Sequence, residues 1–208
     1  CLYTQNRNLN EMLNGNFKLN NGNLHTNLYK IVFDSDIKML MDRIDCEQTF
    51  ADSVLTDDGL QTKEYLTSNH PEALLILNSV ASIISSRYVQ SEFPDKTLVV
   101  VETRLNEGCN SGNTEYHCDK IAGDFGRFGD ISKSFQGDID IICLYYFNTL
   151  DIGPLCLLNK ITNVEEKIYP EAGKLAMINE GTPGMLHKIE KNDTTHKRYT
   201  ARIGISLQ

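Results

Sequence analysis

Hydrophobic and polar positions follow two different rhythms along the chain. Before about residue 96 they fall at helical spacing. Ile37, Leu40, Met41 and Ile44 share one face of a segment opening at Ser35, a good N-cap residue; Leu74, Leu77, Val80, Ala81 and Ile84 line one face of a second, which opens at Pro71 and runs to about Arg87. An apolar run from Tyr29 to Phe33 ahead of the first helix reads as a strand. After residue 96 the rhythm shortens. Runs rich in Val, Ile, Leu and Tyr alternate with Gly, Asn and Asp clusters, predicting strands at Leu98 to Leu105, Thr114 to Ile121, Asp138 to Asn148, Leu155 to Ile161, Lys174 to Asn179, Met185 to Lys191 and Arg198 to Leu207. Many short strands without intervening helices predict an α+β, mainly β fold: a jelly roll with supporting helices from the N-terminal half.

Eight asparagines among residues 1–24 favour turns over regular structure, so this stretch reads as an irregular arm. Residues 25–96 then form a helical support region and 97–208 a β core, together one domain of 208 residues. The 40% hydrophobic content suffices for a core, and no apolar run approaches the roughly 18 residues of a membrane-spanning helix. Twenty basic against 28 acidic residues give a net charge of −8, which argues against nucleic-acid binding. The six cysteines show no C-x-x-C pair and read as reduced thiols. No charged-then-apolar leader precedes the fold, and a chain opening at Cys1 reads as one whose true N-terminus lies upstream; the cytoplasm is the expected location. Oligomeric state is left open.

Of five histidines, His25 in the arm, His70 before Pro71 and His196 in a polar loop read as surface or capping residues. His117 differs, because Asp119 lies two positions on and residues two apart in an extended segment project to the same side. An H-x-D alone is a common coincidence. A second histidine, His187, opens a predicted strand after the turn at residues 180–184, and two imidazoles with one carboxylate make the facial set that holds ferrous iron with open positions. Zinc takes the same ligands with water in its fourth position.

The last predicted strand alternates cleanly. Tyr199, Ala201, Ile203, Ile205 and Leu207 face one way; Arg198, Thr200, Arg202 and Ser206 face the other. Arginines pointing into a barrel must meet anions, and a dicarboxylate supplies one: a guanidinium grips a carboxylate through two bonds, with a hydroxyl two residues along donating to the same group.

In order along the chain, His117-x-Asp119, the apolar strand Ile141 to Asn148, Gly153-Pro154-Leu155, the Pro170 to Ile178 approach, His187 and Arg198-Tyr199-Thr200 resemble the 2-oxoglutarate and Fe(II)-dependent dioxygenases, and within them the prolyl-hydroxylase-like group. The resemblance covers about residues 97–208. It implies a double-stranded β-helix with N-terminal supporting helices, iron held by His117, Asp119 and His187, and 2-oxoglutarate held by Arg198 with help from Thr200 and Tyr146. Tyr145 exchanges roles with Tyr146 if the register slips by one residue. Whether Arg198 or Arg202 grips the co-substrate is left open. Pro154 stands where the group has a second glycine, and residues 104–116 do not match its tyrosine-bearing strand.

The implied activity consumes dioxygen, converts 2-oxoglutarate to succinate and CO2, and hydroxylates a C–H bond of an amino-acid-like small molecule or of a peptide or protein side chain. The Gly-rich stretch 123–130 reads as a loop able to close over substrate. Arg127 within it, with Arg104 and Arg202, suits an anionic substrate. Two alternatives stand beside this reading: a non-catalytic jelly roll that binds a small molecule or sugar, and a zinc or iron cupin without 2-oxoglutarate, though the cupin H-x-H pair is absent.

Overall fold

The structure, a computed structural model, describes residues 16–19, 27–51, 62–65, 70–108, 115–119, 139–182, 184–190 and 196–208. Among these the strands are β1 (Asn16–Leu19), β2 (Asn27–Phe33), β3 (Thr62–Tyr65), β4 (Leu98–Gly108), β5 (Ile141–Tyr146), β6 (Leu155–Asn159), β7 (Val164–Ile168), β8 (Lys174–Asn179), β9 (Met185–Ile189) and β10 (Arg198–Leu207). The helices are α1 (Ser35–Met41), α2 (Cys46–Ala51), α3 (Pro71–Ile84) and α4 (Gln90–Glu92), with a π-helical turn at Ser85–Val89 joining the last two. The predicted helix thus continues past Arg87 to Glu92. None of these helices is long and apolar enough to cross a membrane.

The strands form two antiparallel sheets, so the chain is mainly β as expected. The larger runs β1-β2-β8-β5-β10-β4-β3, the smaller β7-β6-β9. Strict alternation sorts the large sheet's side chains between two cores. Cys143, Tyr145, Leu175, Met177, Tyr199, Ala201, Ile203 and Ile205 pack with Ile37, Met41, Phe50, Leu77, Val80 and Ile84 of the helices. From the opposite face, Ile142, Leu144, Tyr146, Ala176 and Ile178 pack with Leu155, Leu157, Ile168 and Met185 of the small sheet. Each fully buried aliphatic side chain contributes about 1.5–3 kcal/mol, and this division holds β10 between β5 and β4 with its odd-numbered side chains on the helices. Its even-numbered side chains therefore face the small sheet.

Several expectations need correction. Asp34, not Ser35, caps α1, its Oδ1 accepting from Asp36 N at 2.9 Å and Ile37 N at 3.1 Å. Asp34 also receives bonds from Arg87 at 3.0 Å and from the Tyr88 hydroxyl, so the cap ties α1 to the π-helical turn. Within the expected irregular arm, Asn16–Leu19 pairs with β2 as an edge strand. β3 and β7 escape the sequence reading because Thr-Lys-Glu-Tyr and Val-Glu-Glu-Lys-Ile carry little apolar signal. Of the strand expected at Thr114 to Ile121, residues 115–119 contain a single bridge, His117 to His187. His70 holds the cap position of α3 without a side-chain capping bond, and His196 is exposed.

Candidate active site

The two histidines meet through their backbones first. His117 N donates to His187 O at 2.9 Å and His187 N to His117 O at 2.8 Å, fastening residues 115–119 to the edge of β9. On β9, Met185, His187 and Ile189 take the inward face, placing His187 opposite Leu157 of β6. The imidazole rings lie 4.3 Å apart, and Asp119 completes the group: the ligand atoms of His117, Asp119 and His187 all fall within 4.8 Å of one another. His117 Nε2 is 3.8 Å from Asp119 Oδ1, and His187 Nε2 is 3.7 Å from Asp119 Oδ2.

The outward nitrogens set which atom is left for a metal. His117 Nδ1 lies 2.7 Å from the Glu115 carbonyl and His187 Nδ1 lies 3.0 Å from Glu180 Oε1. Carbonyl and carboxylate oxygens only accept, so these neighbours favour a proton on each Nδ1 and a lone pair on each Nε2, the nitrogen on the Asp119 side. Cys118, between two members of the group, turns aside and donates its thiol to the Glu180 carbonyl at 3.8 Å.

Beside this cluster β10 presents its two arginines, both 6% exposed, in contrasting settings. Arg202 donates to Asp119 Oδ2 and pairs with Glu102 Oε2, while Glu102 Oε1 lies 3.1 Å from Arg104 Nε. Gly204 keeps this arrangement open: a Cβ there would sit 3.3 Å from Glu102 Cβ and 3.1 Å from Ile139 Cδ1. Arg198 meets no carboxylate among the described residues. It donates to the Gly153 carbonyl at 2.8 Å, and burial lowers its basicity while the nearby Tyr146 phenol opposes the shift. Tyr146 is itself pushed up to about 12 by burial, with Arg198 pulling the other way. Thr200 sits directly opposite Tyr146 in the register, and Tyr145 opposite Ala201 on the helical face, so the phenol beside Arg198 belongs to Tyr146.

The structure therefore brings together His117, Asp119, His187 and Arg202 in one cluster, and Arg198, Thr200 and Tyr146 along the same inward face of β10 and β5. Arg104 joins the first group through Glu102. Arg127 and the 123–130 loop lie outside the described residues. Two acids escape the sequence reading. Glu102 appears there only as a polar position in an apolar strand, and Glu180 only as the first residue of the turn at 180–184. Glu180 is 3% exposed and accepts from Asp119 N at 2.8 Å. Burial alone would raise its carboxyl, but the His187 ring N–H, the Asp119 amide and the Cys118 thiol around it together hold it below the usual range.

No protein-family model and no curated protein matches the sequence. Solved structures do match. A Trichoplax adhaerens prolyl hydroxylase in complex with a hypoxia-inducible-factor oxygen-degradation-domain peptide aligns over 98% of this chain and 91% of its own, with a TM-score of 0.60 at 16% identity. A 2OG-Fe(II) oxygenase family oxidoreductase from Burkholderia pseudomallei aligns over 91% and 93%, with a TM-score of 0.60 at 14% identity. HygX from Streptomyces hygroscopicus, with nickel, 2-oxoglutarate and hygromycin B bound, aligns over 86% and 82%, with a TM-score of 0.56 at 12% identity. This chain has the fold these proteins share.

Proposed function

We propose that the chain is an Fe(II)- and 2-oxoglutarate-dependent dioxygenase whose 208 residues work as one domain, a double-stranded β-helix with N-terminal helices buttressing the larger sheet. The observation that carries this reading is the convergence of His117 Nε2, His187 Nε2 and the Asp119 carboxylate, the two-nitrogen, one-oxygen donor set of non-haem ferrous sites. The likeness to oxygenase structures, one of them with nickel and 2-oxoglutarate bound, supports it.

The donor set fits iron on the chain's own terms, because the oxygens beside each Nδ1 favour the tautomer whose lone pair sits on Nε2. Arg198 fits the co-substrate. A buried guanidinium whose described neighbours include no carboxylate is costly unless an anion arrives, so Arg198 would take the distal carboxylate of 2-oxoglutarate, with the Thr200 hydroxyl and the Tyr146 phenol beside it. Arg202, already engaged by Asp119 and Glu102, is the poorer candidate for that carboxylate. Tyr146 remains a neutral donor at working pH because burial holds its proton.

Ferrous iron, when bound, supplies dioxygen activation and the oxidative decarboxylation that yields succinate and CO2. The protein would hold metal and co-substrate in a fixed relation, from His187 on β9, from the 115–119 segment bridged to it, and from β10 and β5, with the apolar inter-sheet core on the inner side. The substrate class is an amino-acid-like small molecule or a peptide side chain whose C–H bond is hydroxylated; Arg104 and Arg127 are the residues proposed to meet an anionic group on it. The proposal is tested by following succinate formation from 2-oxoglutarate with added Fe(II) and ascorbate. Slow substrate-free turnover that requires iron and vanishes in His187→Ala supports it; folded protein that forms no succinate with any candidate substrate opposes it.

A further inference from the structure

We infer that Glu180 is a positioning residue that locks two metal ligands from different parts of the chain into one geometry. The inference rests on the metal-site reading above. Glu180 follows the end of β8, and its two carboxylate oxygens face two different ligands: Oε1 lies 3.0 Å from His187 Nδ1 and Oε2 accepts from Asp119 N at 2.8 Å. Its own carbonyl also takes the Cys118 thiol. Residues 115–119 form no strand, so side chains take over work that a ladder would do elsewhere. The backbone bridge at His117 and the Tyr116 hydroxyl, donating to Glu165 at 2.6 Å, hold the start of the segment. Its end, where Asp119 stands, is held at the backbone by the Glu180 carboxylate.

Both contacts act on metal affinity. The first, a carboxylate oxygen 3.0 Å from the ring nitrogen, favours the His187 tautomer with a proton on Nδ1 and a lone pair on Nε2, and raises the ring's strength as a ligand. The second holds the Asp119 backbone so that its carboxylate faces both Nε2 atoms. No amide can replace this carboxylate. In a Glu180→Gln variant the side chain would have one acceptor for two N–H groups. With its oxygen on Asp119 N, its NH2 would face His187 Nδ1 and favour the tautomer that cannot bind metal; reversed, its NH2 would oppose the Asp119 N–H.

Co(II) titration of metal-free protein tests this, read by the visible d–d absorption of the bound ion beside thermal unfolding of the same metal-free samples. Glu180→Gln is expected to weaken Co(II) on the order of 10- to 100-fold, as loss of an outer-shell partner typically does, while the metal-free protein stays folded. Glu180→Ala is expected to weaken it at least as much. Should the alanine variant not fold, the isosteric glutamine variant decides. Folded Glu180→Gln with wild-type affinity overturns the positioning role and leaves the metal site standing. Wild-type protein that binds no Co(II), or a His187→Ala variant that keeps the absorption, overturns the metal-site reading and this inference with it.

Discussion

Arg202 donates from β10 to the carboxylate of Asp119, so the acid of the candidate metal centre is charge-paired before any metal arrives. Both side chains are buried, and Glu102 engages the other guanidinium nitrogen. Removing a partner from a buried ion pair strands the remaining charge, at a cost of about 3–5 kcal/mol. Arg202→Leu should therefore destabilise the metal-free protein by about 3 kcal/mol in urea unfolding. Saturating Mn(II) should narrow the gap to wild type, since a bound cation neutralises Asp119. A gap unchanged by metal would mean that Asp119 is not a ligand.

Arg198 should behave in the opposite way. Its guanidinium is buried against the Gly153 carbonyl, so Arg198→Leu removes a desolvated charge and should leave the ligand-free protein as stable as wild type or about 1 kcal/mol more so. The same change should weaken 2-oxoglutarate on the order of 100-fold, or about 2.8 kcal/mol, in calorimetric titration with Mn(II) present. Similar destabilisation by both arginine substitutions would show that Arg198 is a structural ion-pair residue.

Asp34 gives the fold a pH-dependent brace. Burial would raise its carboxyl, but bonds from Tyr88, the Ile37 amide, Arg87 and the Asp36 amide outweigh burial and hold it below the usual range. A group depressed in the folded state contributes stability above its unfolded pKa of about 3.9 and loses it as pH falls through the lower folded value. Wild type should thus lose stability steeply below about pH 4, and Asp34→Asn should show a shallower fall. At pH 7, Asp34→Ala should cost about 2 kcal/mol through the lost cap and the stranded Tyr88 hydroxyl, Arg87 keeping its pair with Asp36. Parallel acid profiles for wild type and Asp34→Asn would remove Asp34 from this role.

The parts of the site that sequence carried are those set by local spacing. His117 and Asp119 converge because they are two residues apart, and β10 separates Arg198, Thr200 and Arg202 from Tyr199, Ala201 and Ile203 because strand side chains alternate. Contacts made by topology left no such trace. Glu180 reaches Asp119 across 61 residues, and Arg202 reaches Asp119 across 83. The strand expected around His117 shows the same limit from the other side, since residues 115–119, Glu-Tyr-His-Cys-Asp, make one bridge and no ladder. Asp34 and Ser35 are both good caps, and the Arg87 and Tyr88 contacts that favour Asp34 come from a helical turn 53 and 54 residues away.

The most direct test of the account is spectroscopic and needs no substrate. Fe(II) and then 2-oxoglutarate are added to metal-free protein under strict anaerobiosis while the visible spectrum is followed for the charge-transfer band of a keto acid chelated to ferrous iron. The account predicts a band that appears only when both are present, is lost in Asp119→Ala, and needs far more 2-oxoglutarate in Arg198→Leu. Folded protein that binds Fe(II) at His117, Asp119 and His187 yet develops no band would contradict it and leave a metal-binding jelly roll without oxygenase chemistry.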